Sequence, residues 1–330
     1  MKKVLVTGGA GYIGSHTCKL LSQLGFTPIV LDNLSNGHKE FVKWGEFYQG
    51  NQDDDKIIEE IFKNHHIEDV IHFSAFAYVG ESIKDPIKYY ENNTIGTIKL
   101  IKKLDQLGVR NFVFSSTCAI YGTPEKLPIS ENLPKNPINP YGHSKLLIEE
   151  MMDWITTVSK INFVALRYFN AAGASMDLDI GERHDPETHL IPLTLMSARF
   201  GNEINVFGND YQTPDGTCIR DYIHVLDLAD AHIKALNYLQ NGGESTKINL
   251  GTGHGTSVME IINQVEKTTG QKCQVKIGPR RPGDPAILVA DNSKALELLG
   301  WKPKYSQIDN IIETAWNWLV QEEEKIKKVA

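Results

Sequence analysis

Short apolar runs alternate with longer amphipathic segments through the first half of the chain. The runs predict buried strands, and the segments between them predict helices, because their apolar residues recur every three to four positions. Such alternation is typical of βαβ units, which form a parallel sheet covered by helices on both faces. Expected strands are Lys3–Thr7, Thr27–Leu31, Val70–Phe73, Phe112–Ser115 and Phe163–Tyr168, and expected helices include Tyr12–Leu24, Pro86–Leu107 and Tyr141–Ser159.

The alternation loosens after about Asn170. The segments 171–187 and 207–216 are polar and rich in turn-forming residues, and helical periodicity returns at 227–239, 257–269 and 308–325. Crossovers between parallel strands are nearly always right-handed, so the first half predicts a doubly wound α/β sheet. We therefore expect a nucleotide-binding domain over residues 1–170 and a smaller α/β substrate-binding lobe over 171–330, with segments that cross between the two.

Glycines recur every three residues where the first expected strand passes into the first expected helix. Gly8, Gly11 and Gly14 have GxxGxxG spacing, a variant of the commoner GxGxxG. Glycine permits a tight turn and close approach of the backbone to a pyrophosphate, and the helix N-terminus supplies free N–H groups. A turn without a ligand is the alternative. The position directly after the first strand favours a Rossmann-type dinucleotide site.

An acidic residue ends the second expected strand. Asp32 lies at a suitable distance beyond the glycines to accept hydrogen bonds from the adenosine ribose hydroxyls. A carboxylate there repels a 2′-phosphate, and no arginine follows in residues 33–37. These features favour NAD over NADP.

The strongest catalytic motif opens the helix that follows Asn139. Asn139 and Pro140 are suited to the cap and first helical position, which places Tyr141 and Lys145 four residues apart on one helical face. A tyrosine acting as a base near neutral pH needs its pKa lowered from about 10 by roughly 3 units. A nearby ammonium group and a cationic nicotinamide ring would supply this stabilisation. Many YxxxK matches are chance surface pairs, so the motif alone does not identify a catalytic site. Its position after a dinucleotide-binding glycine turn favours the catalytic interpretation.

A hydroxyl cluster closes the expected strand Phe112–Ser115. Thr117 follows Ser115 and Ser116 at the carboxyl end of that strand, where doubly wound folds bind ligands. We expect its hydroxyl to share the substrate proton with Tyr141. The alternative is that these residues only terminate a strand.

The charge and cysteine content restrict the remaining function classes. The formal net charge is −7, which gives no general attraction for nucleic acid or an anionic membrane surface. No run of residues approaches the ~18 apolar positions of a membrane span. The four cysteines are far apart and form no CxxC motif, so we expect reduced thiols and a cytoplasmic location.

These motifs together resemble the extended short-chain dehydrogenase/reductase family over nearly the whole chain. The resemblance implies an NAD-dependent enzyme that inverts the carbon-4 hydroxyl of a UDP-hexose, interconverting UDP-glucose and UDP-galactose. The segments that carry it are residues 8–16 (GGAGYIGSH), 32–34 (DNL), 79–82 (VGES), 141–145 (YGHSK), 167–173 (RYFNAAG), 187–192 (ETHLIP), 207–211 (FGNDY), 215–225 (DGTCIRDYIHV) and 279–284 (PRRPGD).

The resemblance also implies roles for particular residues. Tyr141 is then the base, Lys145 lowers its pKa and holds the nicotinamide ribose, and Thr117 is the hydroxyl partner. The other positions that line the NAD pocket are Tyr12, Ile13, Asn33, Asn51, Phe73, Ala75, Ala77, Asn93 and Phe169. Those that contact UDP are Asn170, Leu190, Asn205, Phe207, Arg220, Arg281 and Asp284. Arg220 and Arg281 suit a diphosphate because a guanidinium presents a planar fork of donors; solvated surface charge is the alternative.

The chain departs from the family pattern at three positions. Asn51 stands where an aspartate usually accepts from the adenine amino group, and an amide oxygen also accepts. Ala77 replaces a lysine that some members place near the cofactor, so that contact is absent. Leu288 stands where large aromatic residues exclude N-acetylated sugars, and we hypothesise some activity on UDP-N-acetylglucosamine.

Other features are given less weight. His184, Asp185, Glu187 and His189 lie close together, but their spacing matches no zinc template, and we expect no metal. The resemblance implies a homodimer formed through the two long expected helices. Another NAD-dependent nucleotide-sugar epimerase or a dehydratase is the alternative function. A dehydratase usually carries Asp-Glu after the strand-end threonine, where this chain has Cys118 and Ala119.

Overall fold

The computed structural model describes residues 2–281 and 284–329, with side chains up to Lys325. Pro282 and Gly283, which belong to one of the family-like segments, lie outside the described residues. The strands are β1 Lys3–Thr7, β2 Thr27–Asp32, β3 Glu46–Gln49, β4 Ile67–His72, β5 Asn111–Thr117, β6 Asn162–Tyr168, β7 Asn170–Ala172, β8 Glu203–Phe207, β9 Ile219–Arg220, β10 Tyr222–His224, β11 Thr246–Leu250, β12 Thr256–Ser257, β13 Gln274–Gly278 and β14 Ile287–Leu288.

The α-helices include the expected segments, of which only 86–107 is interrupted. Single turns of 3-10 helix occur at Lys39–Phe41 and Cys118–Tyr121, and a π-helical segment spans Tyr90–Ile95. The α-helices are α1 Tyr12–Gln23, α2 Asp55–Asn64, α3 Val79–Lys84, α4 Pro86–Tyr89, α5 Gly96–Gln106, α6 Pro140–Ile155, α7 Leu190–Phe200, α8 Val225–Gln240, α9 Val258–Thr269, α10 Ser293–Leu299 and α11 Ile308–Val329. Four of them, α2, α3, α7 and α10, lie outside the expected segments.

A seven-stranded parallel sheet forms the centre of the molecule. Its strand order is β11-β6-β5-β4-β1-β2-β3, and every neighbouring pair runs parallel. The order reverses between β1 and β4, which is the arrangement of a doubly wound fold. This confirms the predicted Rossmann-type α/β class.

Helices cover both faces of this sheet. Val4 and Val6 point to the face packed by α1 and α8, and Leu5 points to the face packed by α2, α5 and α6. Successive residues of a strand face opposite sides, so a strand buried on both sides must be apolar throughout. The apolar runs in the sequence are uninterrupted because both faces of the strands they form are buried.

The expected helix at 86–107 is interrupted. It consists of α4, the π-helical segment Tyr90–Ile95 and α5. Asn93 lies in the π-helical segment, fully buried, and its side-chain amide pairs with both backbone groups of Phe76 at 2.9 Å. Segments of this kind are frequent at functional sites, and this one fixes the loop after β4.

The main sheet also takes elements from the second half of the chain. β11 pairs with β6 from Thr246 to Leu250, and α8 packs against α1. The domain division at residue 170 stays a prediction, and α8 and β11 are the segments that cross it.

The remaining elements form a smaller α/β layer. β8 and β13 pair in parallel, and α7, α9 and α11 bury a shared apolar cluster that includes Leu195, Ile261 and Ile311. Within the part of the chain that the structure describes, no helix is both long enough and apolar enough to cross a bilayer.

Candidate active site

The glycine turn joins β1 to α1 at the carboxyl edge of the sheet. Gly8 has a φ of +73°, and a Cβ added there would lie 2.7 Å from the Ser74 nitrogen. A Cβ at Gly14 would lie 2.2 Å from the Gly8 carbonyl oxygen, so the helix can approach the turn only with glycine at this position. Gly11 caps α1 without a side chain, which leaves the first helical N–H groups open to an anion. These features fit the pyrophosphate of a dinucleotide.

Gly14 gives a direct test of this cradle. Replacing Gly14 by alanine is expected to abolish retention of the dinucleotide, because the added methyl group must push α1 away from Gly8. The measurement is the amount of cofactor released from the denatured purified variant, compared with the parent chain. Gly80→Ala is the matched control, because an added Cβ there meets nothing within 4 Å. Full retention in Gly14→Ala would contradict the assignment.

Asp32 is placed as the sequence predicted, at the end of β2. Its two carboxylate oxygens accept from the Ala10 nitrogen at 3.0 Å and the Leu34 nitrogen at 2.8 Å. Burial raises the pKa of this carboxyl group, and the two backbone donors oppose that rise. The hydrogen bonds fix the carboxylate beside the glycine turn. Nearby, the Asn33 side chain donates to the Asn51 amide oxygen at 2.8 Å, which brings two predicted adenine-side residues together.

The segment after β4 forms the next wall. The Phe73 ring packs against His232 with ring centroids 4.6 Å apart, and the Phe73 nitrogen donates to the Thr7 carbonyl oxygen. Ala75 and Ala77 follow in the loop held by Asn93. In this structure the Asn93 side chain therefore holds the backbone of Phe76, in the loop after β4. Its direct contact with NAD stays a prediction.

Tyr141 and Lys145 lie on the first turns of α6. The Asn139 side chain accepts from the Gly142 nitrogen at 2.8 Å, and Pro140 is the first helical residue, as predicted. Gly142 allows the helix to touch the segment after β5, since a Cβ there would lie 2.6 Å from the Ala119 carbonyl oxygen. This close contact brings Tyr141 within reach of the Thr117 hydroxyl.

The pKa of Tyr141 is shifted upwards in this structure, opposite to the lowering expected for a tyrosine that acts as a base. Burial raises the pKa of the Tyr141 phenol, the nearby Tyr168 adds to the rise, and the Thr117 hydroxyl opposes it. Lys145 is 2% exposed, its ammonium group donates to the Ser115 carbonyl oxygen at 2.9 Å, and burial lowers its pKa to about 7. The lowering of the tyrosine pKa by Lys145 and the nicotinamide ring stays a prediction for the complex with cofactor.

The residues predicted to contact UDP lie in the second half of the chain, and Arg220 among them interacts with Cys118, next to Thr117. The Arg220 guanidinium donates to Asp284 at 2.5 Å, and the Arg281 guanidinium lies 4.0 Å from the centre of the Phe207 ring. The Asn170 side chain donates to the Asp221 carbonyl oxygen, one residue beyond Arg220. Leu190 begins α7 and Asn205 lies exposed on the neighbouring strand β8, on the same face as Phe207.

A small apolar cluster connects the two halves of the site. Phe169 and Leu288 both belong to it, with Cys118 packed at its edge next to Thr117. Leu288 pairs with Arg220 in the register of β14 and β9. Leu288 therefore neighbours the predicted diphosphate-binding arginine and packs against the same cluster as Cys118 of the catalytic segment.

Sequence reasoning missed a buried ion pair behind the catalytic helix. Glu149 and Arg167 are 1% and 2% exposed, and the Arg167 guanidinium donates to both carboxylate oxygens. The Ser116 hydroxyl also donates to Glu149 at 2.5 Å, and Arg167 donates to the Tyr121 hydroxyl. The signal was present in the helical period, because Glu149 lies four residues beyond Lys145 on the same inner face.

A doubly wound sheet with a glycine turn, a strand-end aspartate and a Tyr-Lys pair at one edge defines a dinucleotide-dependent enzyme. The sequence model of the NAD dependent epimerase/dehydratase family matches residues 4–251, and the chain belongs to this family. Its cofactor is therefore NAD, as the sequence predicted.

The chain is similar to known proteins over almost its full length. It is 50% identical to the UDP-glucose 4-epimerase of Lacticaseibacillus casei, over 96% of both chains. The crystal structure of the Brucella ovis UDP-glucose 4-epimerase in complex with NAD is 49% identical, with a TM-score of 0.94 over 96% of this chain and 98% of that one. The Bifidobacterium longum enzyme in complex with NAD+ and UDP is 39% identical, with a TM-score of 0.92 over 98% and 99%.

Proposed function

We propose that the chain is an NAD-dependent 4-epimerase that interconverts UDP-glucose and UDP-galactose. The observation that carries this proposal is the placement of Tyr141 beside Thr117, at the same sheet edge as the glycine turn, with Arg220 close enough to interact with the adjacent Cys118. Relatives about 50% identical over nearly the whole chain share the name UDP-glucose 4-epimerase, which supports it.

The proposed chemistry begins at the carbon-4 hydroxyl of the sugar. Tyr141 removes its proton, Thr117 shares the hydrogen bond, and Lys145 lies one helical turn further along the same face. NAD held by the Gly8–Gly14 turn and Asp32 would supply the hydride acceptor for carbon 4 and the donor that returns the hydride to the opposite face of the sugar. No net oxidation occurs, so the enzyme needs no exchange of cofactor between turnovers.

Inversion requires the 4-keto sugar to rotate while the nucleotide stays bound. We assign the grip on UDP to Arg220 and Arg281, with Phe207, Asn205, Leu190, Asn170 and Asp284 around them. Asp284 orients the Arg220 guanidinium and leaves other N–H groups for a diphosphate oxygen. Binding energy from the remote nucleotide then retains the intermediate in the site.

Incubation of the purified chain with UDP-galactose and no added cofactor tests the proposal. NMR or chromatography of the products is expected to show UDP-glucose, with no accumulation of NADH. No conversion, even after NAD is added, would refute this substrate and favour another nucleotide sugar.

Leu288 makes a prediction about substrate size. We expect measurable turnover of UDP-N-acetylglucosamine, because leucine fills less space than an aromatic ring at this position of β14. Leu288→Tyr is expected to lower the ratio of N-acetylated to plain sugar turnover by about 10- to 200-fold, the usual effect of a small change in pocket volume. The idea is wrong if the parent chain converts UDP-galactose but gives no product from the N-acetylated sugar.

We also propose a homodimer through the helices on one side of the sheet. Ile83, Ile87, Ile95, Trp154 and Val158 are exposed on α3, α4, the π-helical segment and the end of α6. α6 contacts α3, α4 and the π-helical segment, and we propose that these exposed apolar side chains contribute to one dimer interface. Exposed apolar surfaces of this kind mark protein–protein contacts.

Trp154 provides the test of that interface. It is 78% exposed in the single chain. Trp154→Glu is expected to convert the dimer to a monomer, because a tryptophan that becomes buried in an interface often dominates the binding energy. Size-exclusion chromatography with light scattering gives the mass. Leu24→Glu, at an exposed leucine after α1, is the control and should remain dimeric. A dimeric Trp154→Glu variant would contradict this interface.

The proposed location is the cytoplasm, in galactose metabolism. All four cysteines are free thiols, and Cys18 and Cys218 are buried. Unpaired cysteines are usual in reducing compartments, which supports the location.

A further inference from the structure

Four side chains between β7 and α7 converge on one point. Glu182, His184, Glu187 and His189 each present a donor atom, and all four atoms lie within 4.8 Å of one another. The sequence spacing gave no metal template. The group in the structure contains Glu182, whereas the group noted in the sequence contained Asp185. The turn at 184–187 brings Glu182 next to the two histidines.

Two of the donor separations equal those of a tetrahedral site, and the hydrogen bond between His189 and Glu182 would open to admit an ion. The His184 Nδ1 atom is 3.3 Å from Glu182 and 3.6 Å from Glu187, and the His189 Nδ1 atom is 3.8 Å from Glu187 and in contact with Glu182. Zinc binds histidine nitrogen and carboxylate oxygen at about 2.0–2.2 Å, which separates tetrahedral donors by roughly 3.3–3.6 Å. The His184 Nδ1 atom is also buried without a hydrogen bond of normal geometry.

The surroundings hold these donors in place. The Trp318 indole donates to the Glu182 carbonyl oxygen at 3.0 Å, and the Arg183 guanidinium bonds to Glu322 of the same helix, α11. The rings of Tyr12 and Tyr78 meet the edge of His184, at centroid distances of 6.4 and 5.7 Å. The cluster therefore lies in a packed position between the start of α1 and the start of α7.

We propose that Glu182, His184, Glu187 and His189 form a structural site for a zinc-class divalent ion. Two imidazoles exclude magnesium and calcium, which take oxygen donors, and favour Zn²⁺ or Co²⁺. Four protein donors complete a tetrahedron and leave no position for substrate, so the site is structural and not catalytic. Its effect is to fix the 181–190 segment, which carries Leu190, against Tyr12 at the glycine turn.

Metal binding by the full chain tests this assignment independently of epimerase activity. Chelator-stripped protein is dialysed against Zn²⁺ and analysed by mass spectrometry for bound metal. We expect one equivalent per chain, at least a tenfold reduction in His184→Gln/His189→Gln, and no change in His66→Gln/His254→Gln, which removes two exposed histidines. Equal binding by the parent chain and the first variant would overturn the proposal.

A second measurement needs no variant. Stripped parent protein titrated with Co²⁺ is expected to develop the strong visible absorption of a tetrahedral nitrogen–oxygen site, saturating at one equivalent. The melting temperature should rise over the same range, because an ion bound only by the folded state stabilises it. A weak octahedral spectrum, or no saturable change, would show that the cluster is only an ion-paired network.

Discussion

Replacement of Tyr141 by phenylalanine is expected to lower kcat by about 10²- to 10⁴-fold, the range that a positioned acid or base contributes. The substitution removes one oxygen atom and leaves the ring, so α6 and its contact with Ala119 remain. The binding of UDP should change little, because the proposed nucleotide contacts lie on β7, β8, β9 and the segment around Asp284. Steady-state kinetics with UDP-galactose, together with calorimetric titration of UDP, measures both quantities.

Tyr305→Phe is the matched control for this variant. Tyr305 is 40% exposed, its ring lies beside His224, and the proposed chemistry gives it no role. Its kcat should equal that of the parent chain. Near-normal turnover in Tyr141→Phe would exclude this tyrosine as the base. If the variant lost both UDP binding and turnover, the substitution would have damaged the fold.

Glu149→Gln is expected to destabilise the protein by about 3–5 kcal/mol. The change leaves the Arg167 guanidinium buried without its counter-charge, and breaking a buried pair costs that much because the remaining charge is desolvated. The free energy of unfolding from urea titration is the measurement. The exposed pair Lys276–Glu203 gives the control, since Glu203→Gln should change the free energy by less than about 1 kcal/mol.

A double variant tests whether the loss of stability in Glu149→Gln comes from the unpaired charge of Arg167. Glu149→Leu/Arg167→Met replaces both charges by apolar side chains, and such replacements are often neutral or stabilising. We expect the double variant to recover most of the stability lost in Glu149→Gln. A loss under 1 kcal/mol in Glu149→Gln would contradict the view that this pair anchors α6 to β5 and β6.

Local sequence patterns predicted the parts of the fold that depend on local interactions. The strand Lys3–Thr7, the capped start of α6 at Pro140 and the helix expected at 257–269 agree with the structure, where α9 is Val258–Thr269. Gly14 is similar, since its close contact with the Gly8 carbonyl oxygen lies within one βα unit, whereas Gly8 is restricted by the distant Ser74.

Features set by distant parts of the chain could not be derived in this way. The pairing of β11 with β6 joins segments about 80 residues apart, and no local periodicity specifies it. The π-helical segment at Tyr90–Ile95 depends on the partnership of Asn93 with Phe76. The Glu182 cluster forms because α11 holds a polar loop that has no regular period.

The proposed mechanism oxidises carbon 4 transiently and returns the same hydride to the sugar. The most direct measurement uses UDP-galactose labelled with deuterium at carbon 4, converted by the purified chain in ordinary water. We expect UDP-glucose that retains the label at carbon 4, because the hydride is returned to the sugar without exchange with solvent. Loss of the label to solvent, or its appearance in free NADH, would contradict it.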